Sequence, residues 1–357
     1  MNVAVTEPDL IVRREGAAGV LRLNRPKAIN ALTLEMAREF DAALDAFAAD
    51  PQVALILVEG AGERGLCAGG DIVGLYNSAR EGGDLGKVFW REEYITNAKI
   101  AKYPKPYVAF MDGLVMGGGV GVAAHGSHRI VTDKTKIAMP EVGIGFFPDV
   151  GGTWLLTRSP GEIGTYFGLT GDIMNGADAI HAQFADAYVP TTNWAALRQA
   201  LTEAPSGASA AQVSGIIAGF AEQPAQGPVE LHQADIDRWF GHDRIEQIVA
   251  ALESDPSEFA QAALKTLRIK SPTSLKVTLK LLRAARHRAS LEECLVHEYR
   301  AALQVFVSDD FVEGVRAAVI DKDRQPKWRP ATIAEVTPEI VARYFDDRGD
   351  DELKFPG

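Results

Sequence analysis

From Leu10 to about Pro190 short β-branched runs alternate with stretches of helical periodicity. Residues 20–23, 53–59, 107–111, 129–132 and 136–138 are predicted as strands from their density of Val, Ile, Leu, Tyr and Phe. Between the first two, Leu34, Ala37, Phe40, Leu44 and Phe47 recur at a spacing that lines one helix face, behind Thr33 as N-cap. Residues 33–49 are therefore predicted as an amphipathic helix. After Thr191 the texture changes. Residues 203–228 are rich in Ala, Ser, Gly, Pro and Gln and read as a surface crossing or partial linker, and 246–252, 256–267, 273–286 and 291–306 all read as helices. The pattern predicts a mixed α/β core over 1–200 followed by a mainly helical region over 201–357, with no internal repeat.

Glycines concentrate at 60–74, 113–126 and 143–152, each after a predicted strand, so these loops are where chemistry is sought. Residues 105–129 read as strand, turn and helix, with Met116-Gly117-Gly118-Gly119 at the turn. Three glycines in a row cost backbone entropy, and their use implies a close approach or a conformation closed to other residues. Amides at the start of the following helix could then serve an anion or a developing oxyanion. Ala68-Gly69-Gly70-Asp71 repeats that chemistry. The third loop supplies acids: Met139-Pro140-Glu141 closes a strand, and Pro148-Asp149 follows a run with Phe146 and Phe147. Carboxylates at strand ends among aromatics have environments that raise their pKa and suit general-base or nucleophilic work.

Other patterns are weaker. Gly60-Ala61-Gly62-Glu63-Arg64-Gly65 has dinucleotide-loop spacing but opens no helix, since more glycines follow at once. Gly65-Leu66-Cys67-Ala68-Gly69 has nucleophile-elbow spacing, yet no histidine can be tied to Cys67, which reads as a small core residue. His125 and His128 lack a third ligand and read as structural.

Composition narrows the class. With two cysteines there is no disulfide framework and no thiolate zinc site, and a net charge of -11 argues against nucleic acid as a partner. No apolar run approaches the ~18 residues of a membrane span, so no membrane partner is expected. Met1–Asp9 lacks the basic and apolar parts of a secretory signal. From these a cytoplasmic location is expected. From Leu264 to Leu291 the chain has basic residues and no acidic one, so an anionic ligand could still find a local patch.

The motifs, in order, resemble the crotonase (enoyl-CoA hydratase/isomerase) superfamily. They are Asn24-Arg25-Pro26 with Asn30-Ala31-Leu32, Cys67-Ala68-Gly69-Gly70-Asp71-Ile72, Lys105-Pro106, Asp112-Gly113, Gly117-Gly118-Gly119 and Met139-Pro140-Glu141. Glu92-Glu93-Tyr94, Phe147-Pro148-Asp149-Val150-Gly151-Gly152, Ser271-Pro272-Thr273-Ser274-Leu275-Lys276, Asp310-Phe311-Val312-Glu313-Gly314-Val315-Arg316 and Asp321-Lys322-Asp323 with Pro326-Lys327-Trp328 are similar, more narrowly, to the 3-hydroxyisobutyryl-CoA hydrolases. The resemblance implies a spiral of β-β-α units followed by helices covering an acyl-CoA site, and short branched 3-hydroxyacyl-CoA hydrolysis with no cofactor beyond the CoA of the substrate. It implies an oxyanion hole from the Gly70 and Gly118 amides, Glu141 as nucleophile or general base, and Asp149 orienting the acyl hydroxyl or assisting CoA departure. Glu93 matches a substrate contact, with a helix-surface glutamate as the other reading. Arg25, Lys27 and the basic stretch are candidates for the CoA phosphates, though any one of them also reads as a solvated face.

One departure is informative. Family members that hydrate double bonds with two glutamates carry the first at the position of Gly121, and here it is missing. The alternatives are an enoyl-CoA hydratase or isomerase of the same fold and a non-catalytic acyl-CoA-binding protein. A homo-oligomer is compatible with the chain, which does not fix the subunit number.

Overall fold

The computed structural model describes residues 7–356; Met1–Thr6 of the segment read for a leader lie outside them. Among the described residues nine strands form two sheets. Leu10–Glu15 (β1), Ala18–Leu23 (β2), Leu55–Gly60 (β3), Tyr107–Met111 (β5), His128–Val131 (β7) and Ala187–Tyr188 (β9) make a six-stranded sheet in the order β1-β2-β3-β5-β7-β9. Gly65–Cys67 (β4), Leu114–Met116 (β6) and Lys136–Ala138 (β8) make a second sheet in the order β4-β6-β8. Only β1 and β2 pair antiparallel. The chain thus winds as a spiral: β3, β5 and β7 each enter the large sheet, and β4, β6 and β8 follow in the small one. Helices complete the turns, Ile72–Glu81 and Leu85–Ala101 after β4 and Gly118–Ala123 after β6. The fold is the mixed α/β spiral that the resemblance implies.

The predicted strands and helix 33–49 are found, the helix as Leu34–Ala49 with the Thr33 hydroxyl accepting from the Met36 amide. The central strands are near-continuous apolar runs because both faces of the sheet are buried. Leu55, Leu57, Val108 and Phe110 face one apolar cluster, and Ile56, Val58, Ala109 and Met111, the alternate residues, face the other.

The segment 203–228 corrects the sequence reading. It holds a helix, Ala210–Ala218, opened by a capping box in which the Ser209 hydroxyl and the Gln212 side chain satisfy each other's backbone amides. Val213 and Ile217 bury against the large sheet together with Leu197 and Leu201, so this stretch covers a face rather than linking two bodies. Small residues hid a helix whose apolar stripe is only two side chains wide.

Helices Pro272–Ala285, Leu291–Phe306 and Asp309–Val315 close over the loops that follow β8. The seam is backbone on backbone. Gly145 has φ 75°, and a Cβ there would lie 2.2 Å from the Asp310 carbonyl oxygen; one on Gly314 would lie 2.3 Å from the Ile144 carbonyl carbon. Neither neighbour is a side chain that can swing away. Gly314→Ala is therefore expected to destabilise the protein by about 2–3 kcal/mol, an overpacking cost read as a lower urea midpoint at unchanged m-value.

Candidate active site

Parallel register decides what meets at the site. Cys67 of β4 pairs with Val115 of β6, and Met116 of β6 with Ala138 of β8, so all three strands end at the same edge. The loops Ala68–Asp71, Gly117–Gly118 and Met139–Glu141 leave that edge side by side. Together with helix Leu85–Ala101 and the C-terminal region they wall a cavity of about 740 Å³. Ala68, Gly69, Gly70, Glu93, Gly117, Gly118, Glu141 and Asp149 line it, with Phe89, Trp90 and Phe146 as apolar walls and Lys270 and Arg324 from the C-terminal third.

The two glycine amides are free. The Gly118 amide begins its helix and has no carbonyl one turn earlier to bond. The chain at Gly70 bonds Leu32 through its neighbours, Leu32 N donating to the Gly69 carbonyl and Asp71 N to the Leu32 carbonyl, which leaves the Gly70 amide unused. A Cβ on Gly118 would lie 2.5 Å from Glu93 Oε1 and 3.4 Å from the Gly70 nitrogen, so these three groups border one small volume.

Three carboxyl groups face the cavity. Glu93 is only 4% exposed on its helix, Oε1 has no partner, and burial followed by the charges of Asp149 and Glu141 raises its pKa well above the usual range. This removes the helix-surface reading. Glu141 opens the short 3-10 turn Glu141–Ile144; burial and then Asp149 raise it well above normal, with the Lys270 charge opposing. Asp149 accepts from the Tyr94 hydroxyl at 2.7 Å, and burial nonetheless lifts it to about 7. Like charges in a dry pocket disfavour each other's ionisation, so the Asp149 charge helps keep Glu93 and Glu141 protonated.

A fourth buried acid escaped the sequence reading. Glu298, on helix Leu291–Phe306, accepts from the amides of Gly151 (2.7 Å) and Thr153 (3.0 Å) and from the Thr153 hydroxyl (2.5 Å). Its only signal was a lone acid on an otherwise apolar helix face.

The place of the missing hydratase glutamate is closed. A Cβ on Gly121 would meet Asn97 Nδ2 at 2.8 Å and Val150 Cβ at 2.9 Å, so no carboxylate could be accommodated without moving both. Arg25 and Lys27 do not line the cavity. Arg25 braces the first loop instead, donating to the Ala31 carbonyl (2.6 Å) and to Asp71 (3.2 Å), while Lys27 is exposed. In the basic stretch Arg268, Lys276, Arg283, Arg286 and Arg288 pair with carboxylates, and Lys270 alone reaches the cavity lining. Cys67 is fully buried, its thiol pushed up to about 12 by burial, which fits the core role read from its sequence. Among the described residues no cluster of His, Cys, Asp and Glu is arranged to hold a metal ion, and no helix is long and apolar enough to cross a membrane.

The enoyl-CoA hydratase/isomerase family model matches residues 18–345. The chain belongs to this family. Within it, the chain is 41% identical to a mitochondrial 3-hydroxyisobutyryl-CoA hydrolase of Rattus norvegicus, over 97% of this chain and 91% of the relative. The human protein of that name is 38% identical over the same shares. Among solved structures, a carnitinyl-CoA dehydratase from Mycobacterium thermoresistibile superposes with a TM-score of 0.93 at 47% identity, covering 98% of this chain and 100% of that one. An enoyl-CoA hydratase from Rhodobacter sphaeroides gives 0.91 at 42%, with the same coverage.

The relatives overturn the cytoplasmic expectation, because the hydrolases are named as mitochondrial enzymes. That expectation rested on signals for secretion and on cysteine usage, neither of which distinguishes one reducing compartment from another.

The raised carboxyls fix a sign for stability. An acid whose pKa is higher folded than unfolded binds more protons in the folded state, so its contribution is present below the unfolded pKa and lost as pH rises through the folded one. For Asp149 that window runs from 3.8 to about 7. Asp149→Asn should therefore gain stability relative to wild type as pH is raised from 4 to 8. Denaturant unfolding of both proteins across that range checks it, and parallel curves would contradict it.

Proposed function

We propose that this protein hydrolyses a short branched 3-hydroxyacyl-CoA thioester, 3-hydroxyisobutyryl-CoA, to 3-hydroxyisobutyrate and free CoA, a step of valine catabolism. The observation that carries this reading is the closed space at Gly121 beside an open cavity holding Glu141, Asp149 and two unbonded glycine amides. Adding water across a double bond with two glutamates needs the carboxylate that Gly121 excludes. Thioester hydrolysis needs one carboxylate and an oxyanion site.

The thioester oxygen sits between the Gly70 and Gly118 amides, which bond more strongly to it as it gains charge. One such donor is worth about 10²–10³ in rate. Glu141 uses its carboxylate in one of two ways. Attack on the carbonyl carbon breaks the C–S bond, releases CoA as thiolate and leaves a mixed anhydride that water then hydrolyses. Alternatively, Glu141 takes a proton from a water that attacks directly. Isotopic oxygen found in Glu141 after a single turnover in labelled water selects the first. A thiol of pKa about 8.5 leaves readily as thiolate, so no strong acid is demanded of the site. Asp149, steadied by Tyr94, orients the acyl 3-hydroxyl or protonates the departing sulfur. Glu93, held neutral by burial, is a hydrogen-bond donor toward the substrate. Lys270 and Arg324 replace Arg25 and Lys27 as the cations at the site, and the helical 201–357 region is its cover. The reaction uses no metal or added cofactor, so EDTA should leave turnover unchanged.

The hydratase reading has the names of two similar structures in its favour, and crotonyl-CoA separates the two: hydration at a rate comparable with thioester cleavage would refute the hydrolase assignment. Binding of acyl-CoA without release of thiol would instead indicate a non-catalytic protein. Glu141→Gln keeps the shape of the side chain but neither its nucleophilicity nor its basicity, so kcat for thiol release should fall by about 10²–10⁴ with KM little changed. Asp149→Asn still donates and accepts hydrogen bonds and should lose less if Asp149 only orients, and comparably if it delivers a proton. Near wild-type turnover by a folded Glu141→Gln protein would refute the assigned carboxylate.

A further inference from the structure

The turn that carries Asp149 is held in a conformation it would not choose. Val150 has φ 52° and Gly151 φ 77°, two consecutive left-handed residues, the first of them β-branched. A β-branched residue in that region is a genuine outlier, and such strain persists only where the surroundings over-determine it. Three groups do so here. The Tyr94 hydroxyl holds the Asp149 side chain. His125 Nε2 donates to the Val150 carbonyl at 2.7 Å. Glu298 takes the Gly151 amide, the Thr153 amide and the Thr153 hydroxyl. The first two come from the core of the fold, and the third comes from the C-terminal helical region.

Glu298 is an expensive choice for a clamp. It is 0% exposed, no cation pairs with it among the described residues, and burial lifts its pKa to about 8 against the opposing hydrogen bonds from Thr153 and Gly151. A buried charge without a counter-ion is costly, and a neutral residue could have accepted one amide without that cost. Its neighbours are Asp149 and Glu141, whose charges repel it, and the Tyr94 hydroxyl and Cys294 thiol, which burial keeps protonated. His125, on the other side of the turn, is held neutral, its pKa lowered to about 4 by burial, so it supplies no compensating charge. Lys270 acts on Glu141 from the far wall.

We infer that Glu298 is a positioning residue for the hydrolysis proposed above, locking the Asp149 turn through three hydrogen bonds and placing a further carboxyl group behind Glu141. Through the three donors it orders Asp149 without touching the substrate. Where it is ionised, its charge makes Glu141 hold its proton more tightly, which strengthens Glu141 as a base. The C-terminal region is thereby part of the catalytic apparatus as well as a cover for it.

The test compares wild type with Glu298→Gln, with Thr153→Val as a milder variant that keeps the β-branched shape and removes one donor. Glu298→Gln should lower kcat about 10- to 100-fold, leave KM within twofold, and move the acid limb of the kcat profile to lower pH by half a unit or more. Thr153→Val should move the limb in the same sense by less, because losing a donor favours the neutral acid and weakens the charge. A purely structural clamp would lower stability and raise KM without moving the limb, and that result overturns the proposal. So does a folded Glu298→Gln protein with kcat within twofold and an unmoved limb. Should Glu298→Gln fail to fold, Thr153→Val decides alone, an unmoved limb counting against. A wild-type protein that releases no thiol would refute the hydrolase reading instead. The role of the donor is then read from stability, which should fall more steeply between pH 5 and 8 in Thr153→Val than in wild type, because Glu298 without that donor holds its proton to higher pH in the folded state.

Discussion

The parallel pairing of β4, β6 and β8 is the constraint on which everything else rests. These strands are three residues long, too short to be stable as a sheet by themselves, and they persist because each is covalently tied to a strand of the large sheet a few residues away. Parallel neighbours end on the same side, so the pairing forces two glycine loops and one acid loop to emerge together. An antiparallel arrangement of the same segments would scatter them to opposite edges. The large sheet, buried on both faces, supplies the rigidity that makes the position of three short strands reproducible.

That geometry creates an electrostatic problem that the C-terminal helices make worse. Closing the cavity removes water from Glu93, Glu141 and Asp149, and burial is the largest influence on each. An exposed Glu141 would be an ordinary weak base; a buried one has a far greater affinity for a proton and is a correspondingly better base or nucleophile once ionised. The stability lost in burying the acids is offset by the apolar contacts of the cover itself, in which Trp90 stacks on Phe146 at 5.1 Å and meets Phe306 edge-on at 5.5 Å.

Much of this was legible in the sequence because it depends on local pattern. The strands β3, β5 and β8, helix Leu34–Ala49 and helix Leu291–Phe306 carry enough apolar residues at one period to be read alone. Strands β4 and β6 do not, since a strand of three residues containing or abutting glycine has no period. Gly70, Gly118, Glu141 and Asp149 were found because their loops are unusual in composition, and they do border one cavity. Arg25 was singled out for its charge and is spent on Asp71 and a backbone carbonyl, a pairing that only the fold reveals. Glu298 was invisible for the opposite reason. Its partners lie some 145 residues earlier in the chain and are backbone amides, which every residue but proline has, so no spacing rule could point to them.

The substitution at Gly121 shows how a family changes chemistry on one fold. Removing a carboxylate would ordinarily leave a hole able to admit water. Here the volume is filled from both sides, by Asn97 from helix Leu85–Ala101 and by Val150 from the strained turn. Val150 fills that position from a left-handed backbone, and Asp149, one residue earlier, lines the cavity with its side chain held by the Tyr94 hydroxyl. Filling the place of one acid and carrying another thus fall to adjacent residues of one turn. Restoring a glutamate at position 121 would not regenerate a two-carboxylate hydratase, because the incoming side chain would have to displace Val150 and, with it, the turn that positions Asp149.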